Sequence, residues 1–207
     1  MPTKSEMAPT CFVPSCPADF VGHAGKVAEV LMRKAERLRD NPDQPLKLLI
    51  SGAPGIGKTS LVNLIARTLV SHATAIEDVN GKEVGIELAR EWTRSLAYGS
   101  LLGAWSVKVV NELDRCSKDA QDMLLTYLDR MKPGQAFLGT TNLDLGSLTE
   151  RFQTRFQSVR LQPPENEVLA AFLARRWAVP IATSRMIAEG ATGNVRAAMA
   201  DLELWLG

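Results

Sequence analysis

The stretch Gly52-Ala53-Pro54-Gly55-Ile56-Gly57-Lys58-Thr59 constrains this chain more than any other. It fits the pattern G-x-x-x-x-G-K-[ST], and its surroundings fit as well. Leu46–Ser51, just before it, is short, apolar and flanked by breakers, as a buried strand is. Residues 58–70, just after it, carry Leu61, Leu64, Ile65 and Leu69 on one helical stripe. Glycines let such a loop curl until successive N–H groups converge on phosphate oxygens, helped by the positive end of the following helix. Lys58 is then placed to neutralise β- and γ-phosphates, and the Thr59 hydroxyl to ligate Mg²⁺. The plain alternative is a glycine-rich turn with a surface lysine; strand, motif and helix together speak against it.

The rest of the chain alternates in the same way. Residues 74–79, 105–112, 136–141 and 156–161 read as four more strands. Helical patterns at 85–96 and 117–131 lie between them, the second capped by Ser117, and another at 25–39 precedes the first strand. Strands separated by helices pair in parallel through right-handed crossovers, so the expected class is α/β with a five-stranded parallel sheet flanked by helices. After Pro163-Pro164 the strands stop, and residues 165–177, 184–189 and 194–206 read as helices. The expected layout is a flexible, proline-bearing arm over 1–18, an α/β base over 19–163 and a small all-helical lid over 164–207.

Composition excludes several classes. With 45% hydrophobic and 23% charged residues, the 207-residue chain has the makings of a packed domain rather than a disordered one. A net charge of +1 gives no global basic field, so any nucleic-acid contact rests on a local patch. The longest apolar run, 168–174, is far short of the roughly 20 residues a membrane span needs. The N-terminus lacks a basic-then-apolar leader, and the expectation is a cytoplasmic protein without a membrane. Cys11, Cys16 and Cys116 are too sparse for a disulfide framework, and Cys11 and Cys16 with His23 lack a fourth ligand for a closed zinc site.

The strand at 105–112 is expected to bring an acid to the metal. It ends Val109-Val110-Asn111-Glu112, with Asn111 where a Mg²⁺-orienting aspartate is expected. The amide still offers an oxygen but removes a negative charge beside a dication, so metal affinity and turnover should fall. Glu112 is a candidate to polarise the attacking water. Asp114 is a candidate to compensate for Asn111, and the bland alternative is that Asn111 and Glu112 merely end a strand.

On these residues the chain resembles the AAA+ ATPases, and among them the clamp-loader small subunits of the replication factor C kind. Gly52 to Ser60 resembles their Walker A, Asn111-Glu112-Leu113-Asp114 with the helix after it their Walker B, and Phe137-Leu138-Gly139-Thr140-Thr141-Asn142 their sensor 1 strand. Thr154-Arg155-Phe156 stands at their Ser-Arg-Cys motif, Gly193-Asn194-Val195-Arg196 is similar to sensor 2, and Asp19-Phe20-Val21-Gly22 to their entry motif. The resemblance implies a P-loop NTPase base with a lid, ATP and Mg²⁺ as cofactors, and binding by Gly52, Ala53, Pro54, Gly55, Ile56, Gly57, Lys58, Thr59, Ser60 and Arg196. It implies metal contact at Thr59 and Asn111, mostly through water, and catalysis by Glu112, by Asn142 as γ-phosphate sensor, and by Arg155, rather than Arg151, as an arginine finger in a neighbour's site. Asn80 is implied as the residue that holds Glu112 back.

The implied partners are the same or homologous AAA+ subunits in an oligomer, DNA, and a ring-shaped replication protein. Arg90, Arg94, Arg115 and Lys118 are the candidate DNA contacts. If Gly207 ends the whole protein, no residues remain for the collar domain of a clamp loader, and assembly is then expected to rest on the AAA+ interfaces, nucleotide or a partner. Two other readings stay open. One is a weakly hydrolysing, nucleotide-gated scaffold or regulatory subunit, favoured by Asn111. The other is a helicase-loader-type ATPase that engages its partner through residues 1–17, whose deletion should then leave nucleotide affinity unchanged.

Overall fold

A computed structural model of the chain describes residues 8–96, 104–142 and 145–207. In chain order the elements are α1 (His23–Asp40), β1 (Leu46–Ser51), α2 (Lys58–Leu69), β2 (Ile76–Asn80), α3 (Ile86–Ser95), β3 (Ser106–Asn111) and α4 (Lys118–Arg130). Then come β4 (Gln135–Thr141), α5 (Glu150–Gln153), β5 (Gln157–Arg160), α6 (Asn166–Trp177), α7 (Ile181–Ala191) and α8 (Val195–Leu206). The strands form one sheet in the order β2-β3-β4-β1-β5, and each neighbouring pair is parallel. The expected α/β class with a five-stranded parallel sheet is the fold observed.

Because successive strand residues point to opposite faces, each strand feeds two cores. Leu48, Ile50, Val107, Val109 and Leu138 pack under α1 and α2. Leu49, Val110 and Phe137 pack under α3 and α4 with Trp92 and Tyr127. After β5 the chain is helical, and α6, α7 and α8 bury a third apolar cluster around Leu169, Leu173 and Leu202. Burial on both faces explains why the strands read as nearly continuous apolar runs. It also lines up the C-terminal ends of β1, β3 and β4, with Ser51 opposite Thr141 and Val110 opposite Gly139. In an open parallel sheet that edge is where ligands are received.

Four local expectations change. Residues 73–75 form a helical turn, so β2 begins at Ile76. The short helix α5 was not foreseen, being a single turn without a periodic stripe. α7 runs from Ile181 to Ala191 rather than 184–189, because Pro180 at its N-cap lacks only an N–H that no helical bond needs. The fourth change is the arm. Residues 1–7 lie outside the described residues, but from Ala8 onward the stretch expected to be free is packed. Pro9 and Pro17 open short helical turns, and Phe12 meets Trp177 edge-on at 5.7 Å with the Arg176 guanidinium 4.4 Å from its ring centre. The Asp19 carboxylate accepts the N–H groups of Ser15 and Cys16, and Thr10 bonds Glu203 of α8. Proline content resembled freedom, whereas here it sets the bends. Among the described residues no helix is long and apolar enough to cross a membrane.

Candidate functional site

The loop from Gly52 to Gly57 leaves the end of β1 and turns directly into α2. Gly55 sits at φ 76°, in the left-handed region that other residues avoid, and a side chain there would run into the Asn194 Oδ1 at 1.9 Å. Ile56 anchors the loop in the core beneath α2, while Pro54 and Thr59 are exposed and Ser60 is half-buried. The start of α8 touches the same loop, because the Arg196 N–H donates to the Gly55 carbonyl at 3.1 Å and Asn194 caps α8 through the Ala197 N–H. Gly193, at φ 81°, packs against the chain before α6, where a side chain would meet the Pro163 Cβ at 2.8 Å.

Lys58 is the centre of the site. Its buried ammonium donates to the Gly52 and Ala53 carbonyls at 2.9 and 2.8 Å and to the Asn142 Oδ1 at 3.3 Å. Burial lowers its pKa; Asp114 and, less, Glu112 act against that, while Arg196 adds to it. A buried cation held by three neutral acceptors is suited to an incoming anion of high charge, and the loop beside it has the shape to receive phosphate.

The end of β3 supplies the rest. Glu112 takes a left-handed conformation, φ 54°, and Gly81 makes room for it: a side chain at 81 would meet the Glu112 carbonyl at 2.2 Å. The Glu112 carboxylate accepts from Arg115 at 2.8 Å and from the Asn80 amide at 3.2 Å. Arg115 first and Asn80 second hold its carboxyl below the usual range. Asn80 thus does touch Glu112, as expected, but Arg115, a residue offered for DNA, is the closer restraint. Asp114 accepts the Asn142 N–H at 3.3 Å, and the Asn142 side chain in turn accepts from Lys58. Thr140 links the two ends of the motif, its hydroxyl accepting the Glu112 N–H at 3.1 Å and donating to the Asn111 Oδ1 at 3.2 Å.

A cavity of about 430 Å³ opens beside the loop, lined among others by Gly55, Ser60, Arg196 and Met199 and, from the N-terminal stretch, by Thr10 and Phe12. Outside the residues that line this cavity, the Thr59 hydroxyl at the start of α2 and the Asn111 amide oxygen at the end of β3 are oxygen donors, the kind that suits Mg²⁺. Among the described residues no group of three His, Cys, Asp or Glu side chains could hold a metal by itself, so a triphosphate would have to bring most of the ligands. His23, earlier considered beside the cysteines, accepts the Gln162 N–H.

The structure brings Lys58, Thr59, Asn111, Glu112, Asn142 and Arg196 to one edge of the sheet. Arg155 is elsewhere. It precedes β5, at the opposite end from the loop that follows β1; four residues of strand, about 13 Å at roughly 3.3 Å per residue, separate the two ends. Its guanidinium forks onto Asp129 at 2.9 and 3.3 Å. Of the proposed DNA contacts, Arg90 pairs with Glu87, while Lys118 and Arg94 are exposed. Sequence reasoning missed Thr140, Asp129 and Asp78, which bonds Asn111. Residues 74–79 read as a strand, but which strand lay alongside was not readable.

Comparison with known proteins follows the same lines. A family model described as "ATPase family associated with various cellular activities (AAA)" matches residues 48–164, more than half of the chain. A replication factor C small subunit of Methanocella arvoryzae is 31% identical over 121 residues, covering 56% of this chain and 37% of its own length. Replication factor C small subunit 2 of Pyrobaculum arsenaticum is 27% identical over 167 residues, covering 76% and 52%. The chain thus spans about half or less of the length of these relatives. Among solved structures, the Thermotoga maritima RuvB Holliday junction branch migration motor superposes with a TM-score of 0.71 at 21% identity, covering 91% of this chain and 63% of that one. That likeness shows the fold.

Proposed function

The chain belongs to the AAA family of ATPases, and from that premise we propose that it binds Mg·ATP in the Gly52–Ser60 loop and hydrolyses it as an oligomer. Arg155 of one subunit completes the site of the next, and the work is done on DNA, loading or remodelling a ring-shaped replication protein. The observation that carries this reading is the buried Lys58 ammonium, set in a glycine loop with Asn142, Asp114, Glu112 and Arg196 around it. The likeness to replication factor C small subunits supports the clamp-loader type. The base over 19–163 and the lid over 164–207 act as the two walls of the nucleotide cleft.

Each residue then has a task. The loop amides and Lys58 bind the phosphates, and Arg196 reaches them from α8, so that the lid angle follows the nucleotide. Thr59 and, through water, Asn111 would hold Mg²⁺, which would supply charge neutralisation at the phosphates. Glu112 orients the attacking water once Arg115 and Asn80 let it go, and Asn142 senses the terminal phosphate. Arg155 cannot reach its own loop from the far end of β5, which favours action in trans; such a finger is worth on the order of 10³-fold or more.

Mixed subunits test this. Lys58→Ala removes nucleotide binding and Arg155→Ala removes the finger, so each alone should be inactive as an ATPase. Mixed, the Arg155→Ala subunits receive a finger from Lys58→Ala neighbours, and turnover should return in part. A mixture as dead as its components overturns the oligomeric reading. A second reading, a nucleotide-gated scaffold, is favoured by Asn111 and by the double restraint on Glu112. It predicts tight ATP binding with negligible turnover even in the assembled state with DNA.

A further inference from the structure

Asn111 differs from the aspartate its position calls for, and its surroundings give the difference a partner. Its amide nitrogen donates to the Asp78 carboxylate at 2.7 Å. Asp78 lies on β2, where Asn80 stands opposite Asn111, so period-2 alternation puts the Asp78 side chain on the face that Asn111 shares. An ionised carboxylate only accepts hydrogen bonds, so it decides which way the Asn111 amide turns. The nitrogen faces β2 and the oxygen faces β4, where Thr140 donates to it. In the order β2-β3-β4-β1, that is the side of the phosphate loop.

We propose that Asp78 is a positioning residue of the nucleotide site: it holds the Asn111 oxygen toward the loop and lends it negative charge. Asp78 and Asn111 together thereby take the place of a single carboxylate at 111. The charge has moved one strand outward and acts through an amide. Partners of this kind orient a ligand oxygen and raise its basicity, and their loss typically weakens metal binding 10–100-fold. The inference rests on the reading that Thr59 and Asn111 hold the magnesium end of the nucleotide. It also explains why an aspartate at 111 is unsuited to this chain, since two carboxylates would face each other at hydrogen-bond distance.

The test is equilibrium binding of a fluorescent ADP to the full chain, once with Mg²⁺ and once with EDTA. Hydrolysis plays no part in it. The wild type should bind more tightly with Mg²⁺. Asp78→Ala should cut that enhancement by about tenfold and leave the EDTA affinity unchanged. The exchange Asp78→Asn with Asn111→Asp, which restores one carboxylate and one amide, should recover the enhancement to within about threefold of wild type. Should Asp78→Ala prove unstable in a thermal melt, the exchanged protein carries the test alone. An undiminished enhancement in Asp78→Ala, or none in the folded exchange variant, overturns the role of Asp78 while leaving the site standing. Lys58→Ala separates the two failures: wild-type binding no better than that of Lys58→Ala sinks the nucleotide site and this inference together.

Discussion

At the scale of single residues, Glu112 carries the most informative geometry. A left-handed conformation costs a residue with a side chain on the order of 1–2 kcal/mol, and here Gly81, Thr140, Asn80 and Arg115 all hold it. Strain kept in place at a site is a sign of use. Glu112→Gln should lower ATP turnover by about 10²–10⁴-fold with ADP affinity retained. Arg115→Ala should act in the opposite direction, raising turnover in the assembled protein, because the carboxylate loses its closest restraint and regains basicity. Equal turnover in wild type and Arg115→Ala would show that the contact restrains nothing. The charged residues of this site were legible in the sequence, because the motif prescribes them by spacing. Their tethers were not, since Arg115 reads as a solvated charge until its distance to Glu112 is known.

At the scale of elements, the start of α8 and the glycine loop are in direct contact. Asn194 caps its own helix and also lies where a side chain at 55 would have to go. Gly55→Ala should therefore displace the start of α8 and strain the loop, weakening nucleotide affinity by at least tenfold, a loss equivalent to the roughly 1.4 kcal/mol that either a lost cap or left-handed strain can cost. A titration with fluorescent ADP reads it. The Arg155–Asp129 fork fastens the segment before β5 to α4. Arg155, by donating to it, holds the Asp129 carboxyl below its ordinary value. A depressed carboxyl stabilises the fold above its unfolded pKa, near 3.9, and loses that contribution as pH falls through the folded value. The difference in urea midpoint between wild type and Arg155→Ala should be present at pH 7 and shrink as the pH is taken below about 3.9. A difference that persists in acid would mean that packing, not charge, fastens the segment.

At the scale of the whole molecule, the N-terminal stretch, the sheet edge and the lid meet around one cavity. Thr10 and Phe12 line it together with Gly55 and Arg196, and Phe12 is seated on the lid through Trp177. Removing residues 1–14 should thus weaken nucleotide affinity measurably, contrary to the expectation that this stretch serves a partner alone. Unchanged affinity after the deletion would return it to the role of a detached arm.

The linear order of residues determined the strand–loop–helix unit, the alternation that demands a parallel sheet, and the types of side chain at the phosphate site. Each of these is local, set by period, punctuation and spacing over a few turns of chain. Tertiary structure alone decided the strand order, and with it that Asp78 lies against Asn111, that Arg155 stands at the wrong end of β5 to serve its own loop, and that Phe12 folds back onto the lid. Those are contacts between residues far apart in the chain, and no local pattern encodes which distant surface will bury a given side chain.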